Sequence, residues 1–203
     1  MDMIRNFVFD VGNVLARWDP PIMSQHLFPK DPEMARFVLE KGFQNPLWFR
    51  GDEGVTTMKE IAKEMAVGTD ERHQEAMTYA MTHFHEVLIP IEGTLSLLRE
   101  LKESGYRCYL LSNYCEYFVE SIKALGALPY VDGYVYSHKE KVIKPNPEIY
   151  RTLLKRYGLS GEECIFIDDK PTNVQAALDA KFGYGFIYRF DDDALRAYIK
   201  ENL

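Results

Sequence analysis

Cysteine is scarce. There are three in 203 residues, Cys108, Cys115 and Cys164, and none forms a C-x-x-C pair. An odd count without that spacing excludes a disulfide framework and favours a reducing compartment. Long apolar runs are also missing. No stretch approaches the roughly 18 residues that a membrane span needs. The start, Met1-Asp2-Met3-Ile4-Arg5, lacks the basic segment and apolar run of a secretory leader. The sequence reads as a cytoplasmic protein with no membrane span. Positive charge is in deficit: 24 Lys and Arg face 31 Asp and Glu, for a formal net charge of −7. That excludes a broad nucleic-acid-binding surface, so an anionic ligand must be held by a few placed cations. Internal repeats, low-complexity tracts and long linkers are absent too, and nothing in the sequence signals an oligomeric state.

What is present suits one sizeable core, with or without a small accessory unit: 46% hydrophobic residues over 203 positions. Phe7 to Phe9 reads as a short buried strand from its continuous apolar character. From about residue 20 to 88 the pattern is helical. Asp19 before Pro20-Pro21 and Asp31 before Pro32 read as N-caps with proline in the first turn. Thr56 or Thr57 caps the next helix, and Gly51-Asp52-Glu53-Gly54 and Gly68 break the chain. After Ile89-Pro90 the pattern alternates. Strands at 107–111, 134–137, 164–167 and 184–188 are separated by helices at 94–104, 117–125, 147–157 and 173–180. Such alternation predicts an α/β fold with a parallel sheet flanked by helices and right-handed crossovers. The helical stretch 16–88 would be an inserted cap, and residues 1–15 with 89–203 the core.

Four groups of residues then stand out. Asp10 ends the first strand in Phe9-Asp10-Val11-Gly12-Asn13. Ser112-Asn113 follows Leu110-Leu111. Lys144 is followed by Pro145-Asn146-Pro147. Asp168-Asp169 ends Cys164-Ile165-Phe166-Ile167 and precedes Lys170-Pro171-Thr172-Asn173. In parallel sheets ligands bind beyond the carboxyl ends of the strands, where Asp10, Ser112 and Asp168-Asp169 fall. Three carboxylates do not stay ionised at close range unless a cation sits among them.

Taken together, in this order, the four groups resemble the motifs of the haloacid dehalogenase superfamily, a Rossmann-like group dominated by phosphatases. The form Asp-x-Gly-Asn-Val-Leu, followed by a helical insertion, is similar to the branch that includes glucose-1-phosphate phosphatases. The resemblance implies a magnesium-dependent hydrolase acting on a small phosphorylated metabolite, a sugar phosphate above all, through an aspartyl-phosphate. It implies Asp10 as nucleophile and metal ligand, with the Gly12 carbonyl and Asp169 as further ligands and Asp168 behind them. Ser112 and the Asn113 backbone amide would hold phosphate oxygens, and Lys144 would neutralise charge.

One position departs from the pattern. Most phosphatases of the superfamily carry a second aspartate two residues after the nucleophile, as general acid and base; here that residue is Gly12. Losing such a relay costs about 10²- to 10⁴-fold, which a good leaving group softens. Asp19 is a nearby substitute, although its N-cap role fits better. Two other readings stand beside the phosphatase: a dehalogenase-type hydrolase, which needs no metal and so no acid pair, and a catalytically impaired phosphate-binding regulatory protein. Of the remaining residues, His83 and His85 are two apart on a helix and do not face each other. His138 and Cys115 lie close to motif residues in the chain. Trp48-Phe49-Arg50-Gly51 reads as cap core with a surface arginine, or as a segment touching the leaving group.

Overall fold

The structure, a computed structural model, describes residues 4–203. Met1 to Met3, at the head of the stretch assigned to the core and part of the start read as carrying no leader, lie outside the described residues. Along the chain come β1 (Asn6–Phe9), β2 (Ala16–Arg17), α1 (Pro20–Leu27), α2 (Pro32–Val38), α3 (Trp48–Asp52), α4 (Met58–Met65), α5 (Glu71–His83), β3 (Ile89–Pro90) and α6 (Glu92–Glu103). There follow β4 (Arg107–Ser112), α7 (Phe118–Ala124), β5 (Gly133–Tyr136), α8 (Ser137–Glu140), α9 (Pro147–Tyr157), β6 (Cys164–Asp168), α10 (Pro171–Asp179), β7 (Tyr184–Ile187) and α11 (Asp192–Asn202).

The expected α/β architecture is present. Strands β5-β4-β1-β6-β7 form one parallel sheet in that order. Its central strands are buried along their whole length, and apolar except for Asn6 and Asp168, because helices cover both faces: every residue of β1 and β6 is buried. One face packs Phe7, Phe9, Leu110 and Ile165 against Leu98 and Phe118. The other packs Val8, Tyr109 and Phe166 against Tyr150 and Leu153. Each such side chain contributes roughly 1.5–3 kcal/mol by burial. The register pairs Phe9 with both Leu110 and Ile167. One step further, Asp10 therefore lies level with Leu111 and Asp168.

Helices α1 to α5 gather around a separate methionine-rich cluster, with Met23, Met58, Met77 and Met81 against Phe43, Trp48 and Phe84. The caps are as expected. Asp19 accepts from Ile22 and Asp31 from Met34, and Thr57 forms a capping box with Glu60. Some pieces have no counterpart in the sequence reading. A two-residue antiparallel ribbon joins β2 to β3, too short for an alternation pattern to register. A π-turn spans Leu39–Phe43, and α3 occupies the Trp48 segment. The last helix, α11, buries Leu195 and Ile199 one turn apart and is capped by Asp191. We propose the domain division at the β2/β3 ribbon, with 16–88 as the cap, because the ribbon ties together the two ends of the helical segment.

The turn after α3 is docked onto the sheet side of the molecule. Ser137 donates to the carbonyl of Asp52, His138 Nδ1 lies 2.8 Å from the carbonyl of Gly51, and Lys141 donates to that of Gly54. Gly54 has φ +67°, and a Cβ there would lie 2.2 Å from the His138 carbonyl oxygen. Gly126 shares the conformation, φ +66°, in open space. Left-handed backbone alone costs a non-glycine residue roughly 1–2 kcal/mol. Gly126→Ala should therefore lose about that much in urea unfolding. Gly54→Ala should lose clearly more, and equal losses would mean that the docking contact contributes nothing.

Candidate active site

The carboxyl ends of β1, β4 and β6 meet at a buried cation. Lys144, from the loop after α8, is buried. Its ammonium lies 2.8 Å from Asp10 Oδ1 and 2.6 Å from Asp168 Oδ2, and donates to the Leu111 carbonyl at 3.0 Å. All three of its donors are thereby used. Asn113 sets its position: the side-chain amide donates to the Lys144 carbonyl at 3.0 Å and accepts from the Lys144 N–H at 2.7 Å. Burial alone would lower the Lys144 pKa, but Asp10 and Asp168 outweigh it and hold it above its ordinary value.

Asp10 is held through one oxygen. Oδ1 accepts from the Val11 N–H and from Ser112 Oγ, each at 2.7 Å, and from Lys144. Oδ2 has no partner among the described residues. Burial pushes the carboxyl up to about 6, against the pull of Lys144 and with the help of Asp168. Asp168 is the opposite case. Both of its oxygens are taken: Oδ1 by the Lys170 N–H and Asn173, and Oδ2 by Lys144 and Asn173. Burial is overcome there by Lys144 and those hydrogen bonds, and its pKa is lowered. Asp169 is half-buried, and its Oδ2 accepts from Asn13 at 3.1 Å. Asn13 sits in the left-handed region and accepts from the Trp18 N–H with its own oxygen.

The ligand oxygens of Asp10, Asp168 and Asp169 lie within 4.8 Å of one another. An all-oxygen donor set suits a hard divalent cation such as magnesium. Asp168 has no oxygen to spare, so Asp10 and Asp169 are the carboxylates able to reach an ion.

These groups open on a cavity of about 290 Å³. Asp10, Gly12, Ser112, Asn113, Lys144 and Asp169 line it from the sheet side. Trp18, Phe43, Trp48, Phe49, Asp52 and Phe84 line it from the helical segment and its approach. All the residues singled out in the four sequence groups therefore converge, with Asp168 just behind the wall. Ser112 and Asn113 do not cap α7, which starts only at Phe118. Asp19 caps α1 and is not in the cavity wall. Contrary to the helical expectation, the rings of His83 and His85 do face each other, in an aromatic stack with Tyr79 and Tyr117, because α5 ends at His83 and His85 lies in the turn that follows. Arg50 turns to Glu64, 2.6 Å away, while its neighbours Trp48 and Phe49 face the cavity. Cys115 is buried in the helical cluster, its thiol pushed well up by burial.

Two features escaped the sequence reading. The first is the reciprocal Asn113–Lys144 pairing, which depends on a loop path. The second is Asp52, visible in sequence only as part of a chain break. It is half-buried in the cavity wall, and burial pushes its carboxyl up to about 7. Lys170 opposes that shift and Asp10 adds to it.

A haloacid dehalogenase-like hydrolase profile matches residues 4–181. A sesquiterpene phosphatase of Aspergillus oryzae is 28% identical over 84% of this chain and 83% of its own. Flavin mononucleotide hydrolase 1 of Arabidopsis thaliana is 25% identical over 68% of this chain, and the match spans only 55% of that enzyme's length. Among solved structures, a family enzyme of Bacteroides thetaiotaomicron in complex with magnesium superposes with a TM-score of 0.72 at 21% identity, over 97% of this chain and 99% of that one. L-2-haloacid dehalogenase of Xanthobacter autotrophicus superposes with a TM-score of 0.68 at 20% identity, over 99% and 84%.

Removing the buried ammonium leaves two buried carboxylates without a countercharge, a loss of roughly 3–5 kcal/mol. Lys144→Met, which keeps most of the side-chain volume, should lower the urea unfolding free energy by about that amount in the absence of divalent ions. A loss under about 1 kcal/mol would mean that the bridge does not hold the strand ends together.

Proposed function

We propose that this chain, which belongs to the haloacid dehalogenase-like hydrolases, is a phosphatase of small phosphomonoesters that uses Asp10 as nucleophile and magnesium as cofactor. One observation carries the reading. Asp10 is pinned through Oδ1 by three donors while Oδ2 is left free, in a cavity shared with Ser112, Lys144 and Asp169. A fixed carboxylate with one oxygen beside the phosphate-side groups Ser112 and Lys144 and the other unengaged can attack phosphorus through one and reach a cation through the other.

One oxygen of the Asp10 carboxylate attacks the phosphorus and forms an aspartyl-phosphate, which water then hydrolyses. Phosphoryl transfer depends mostly on positioning and charge neutralisation. Ser112 and the Asn113 backbone amide take phosphate oxygens, and Lys144 offsets negative charge at Asp10 and the phosphate. Asp10, the Gly12 carbonyl and Asp169 would hold magnesium, which would supply the remaining neutralisation. Asp168 holds Lys144 and the start of α10 in place.

The cavity wall also describes the leaving group. Among the described residues its cations are Lys144 and Lys170, both in motif loops of the core. The helical segment contributes aromatic rings, Asn45, Asp52 and Glu53. Rings that stack on C–H faces, with polar groups that bind hydroxyls, suit an uncharged sugar or polyol. A second phosphate would meet Asp52 and Glu53 with no cation to receive it. A dehalogenase would also attack through an aspartate, and its fold is similar, but that chemistry gives no reason for Asp169 to sit beside Asp10.

With magnesium present, a phosphomonoester panel is expected to yield inorganic phosphate, and chelation should stop it. Asp10→Asn should bring turnover below detection with the circular dichroism spectrum unchanged. Persisting turnover would mean that another group attacks, and metal-independent halide release from a 2-haloacid, with no phosphate release from the panel, would favour the dehalogenase reading. Trapping of beryllium fluoride at Asp10 without turnover would favour a regulatory protein.

Within the panel, monophosphates of uncharged polyols should exceed the matching bisphosphates in kcat/KM by at least about tenfold, a difference of about 1.4 kcal/mol. A preference for bisphosphates would remove the basis for an uncharged leaving group.

A further inference from the structure

We propose that Asp52 is the general acid and base of this reaction, giving its proton to the departing alcohol oxygen in place of the aspartate that position 12 lacks. The inference rests on the phosphatase reading above. Position 12 is open space: a Cβ built on Gly12 meets no heavy atom within 4 Å. No side chain therefore reaches the leaving group from there. Asp52 ends α3 and lines the same cavity as Asp10. Trp48, one turn earlier on the same helix face, is placed to donate its indole N–H toward the Asp52 carboxyl, and its proximity acts to lower the pKa of that group. An indole only donates, so it engages a carboxyl oxygen as acceptor and leaves the other for the transferable proton. The backbone around Asp52 is tied to the core by Ser137, His138 and Lys141, which bind the carbonyls of Asp52, Gly51 and Gly54. The backbone that carries the carboxyl is thereby fixed, in the wall of the cavity that Asp10 also lines, by the same turn that docks the helical segment.

The steps balance. As Asp10 forms its bond to phosphorus, the ester P–O bond breaks and its electron pair stays on the alcohol oxygen. That oxygen takes the Asp52 proton and leaves as the neutral alcohol. Water then attacks the phosphorus and gives one proton to the Asp52 carboxylate. The P–O bond to Asp10 breaks, returning the Asp10 carboxylate and inorganic phosphate.

The electrostatic setting agrees. Burial holds the Asp52 carboxyl at about 7. Lys170 and the Trp48 indole act against the shift, and Asp10 and Glu116 act with it. His138 and Lys141, on the docking side, are committed to backbone carbonyls. A general acid is best poised near the working pH. The acid must be protonated to act, so kcat on poor leaving groups should fall as pH rises through about 7.

The test compares a polyol monophosphate, whose alcohol needs a proton to leave, with p-nitrophenyl phosphate, whose phenolate does not. Asp52→Asn, which keeps the shape and an acceptor for Trp48, is expected to lower kcat on the polyol phosphate by about 10²-fold. On the aryl ester the loss should be under about tenfold. Gly12→Asp added to Asp52→Asn should recover at least about tenfold of the loss on the polyol ester. Trp48→Phe removes a donor that stabilises the carboxylate, so it should move the alkaline decline of kcat to higher pH. That variant decides the matter if Asp52→Asn fails to fold.

Equal losses on the two substrates, or a loss confined to KM, would overturn the inference and make Asp52 a substrate-binding group. So would an unmoved pH profile in Trp48→Phe. Wild-type protein inactive on both esters would overturn the phosphatase reading itself, and this inference with it.

Discussion

One buried ammonium organises the molecule. Lys144 joins Asp10 on β1 to Asp168 on β6 and also binds the end of β4 through the Leu111 carbonyl. Three neighbouring strands thus end at one positive charge that water hardly reaches. Burying charge is costly unless it is paired and hydrogen-bonded, and here every donor of the ammonium has an acceptor. The same contacts decide which oxygens remain available. Asp168 uses both of its oxygens on protein donors, Asp10 uses one, and Asp169 is held only lightly by Asn13. From this unequal loading come a carboxylate locked into the fold, one with a single oxygen unengaged and one held by a single contact.

Much of this was legible in the residues. Continuous apolar runs located β1 and β6, and acids at their ends could only lie at the ligand-binding edge of a parallel sheet. The proline-flanked caps at Asp19 and Asp31 fixed the helical segment. Local patterns of this kind survive folding because the side chain and its backbone partner are three or four residues apart. The resemblance of the four motifs then supplied the family, and the profile match over residues 4–181 agrees with it.

The rest depended on distance through space. Asn113 reads as a phosphate-loop residue, yet its side chain is spent on a loop 31 residues away. Asp52 reads as one polar residue in a Gly-Asp-Glu-Gly break, and its significance comes from how α3 docks against α8. The β2/β3 ribbon is two residues long on each side, below the length at which alternation carries information. Gly12 was noticed as a departure from the family's pattern. What it leaves is room, which only the packing around it reveals.

The docking of the α3 turn has a consequence for how such an enzyme can change. Its anchors on the helical side are carbonyl oxygens, atoms that every residue type possesses. Replacing side chains on that segment, Gly54 excepted, therefore removes none of the acceptors. The cavity walls on that segment are free to drift toward new shapes while the segment stays seated in the same register. Selectivity and closure are in this way inherited through separate chemical groups of the same short stretch.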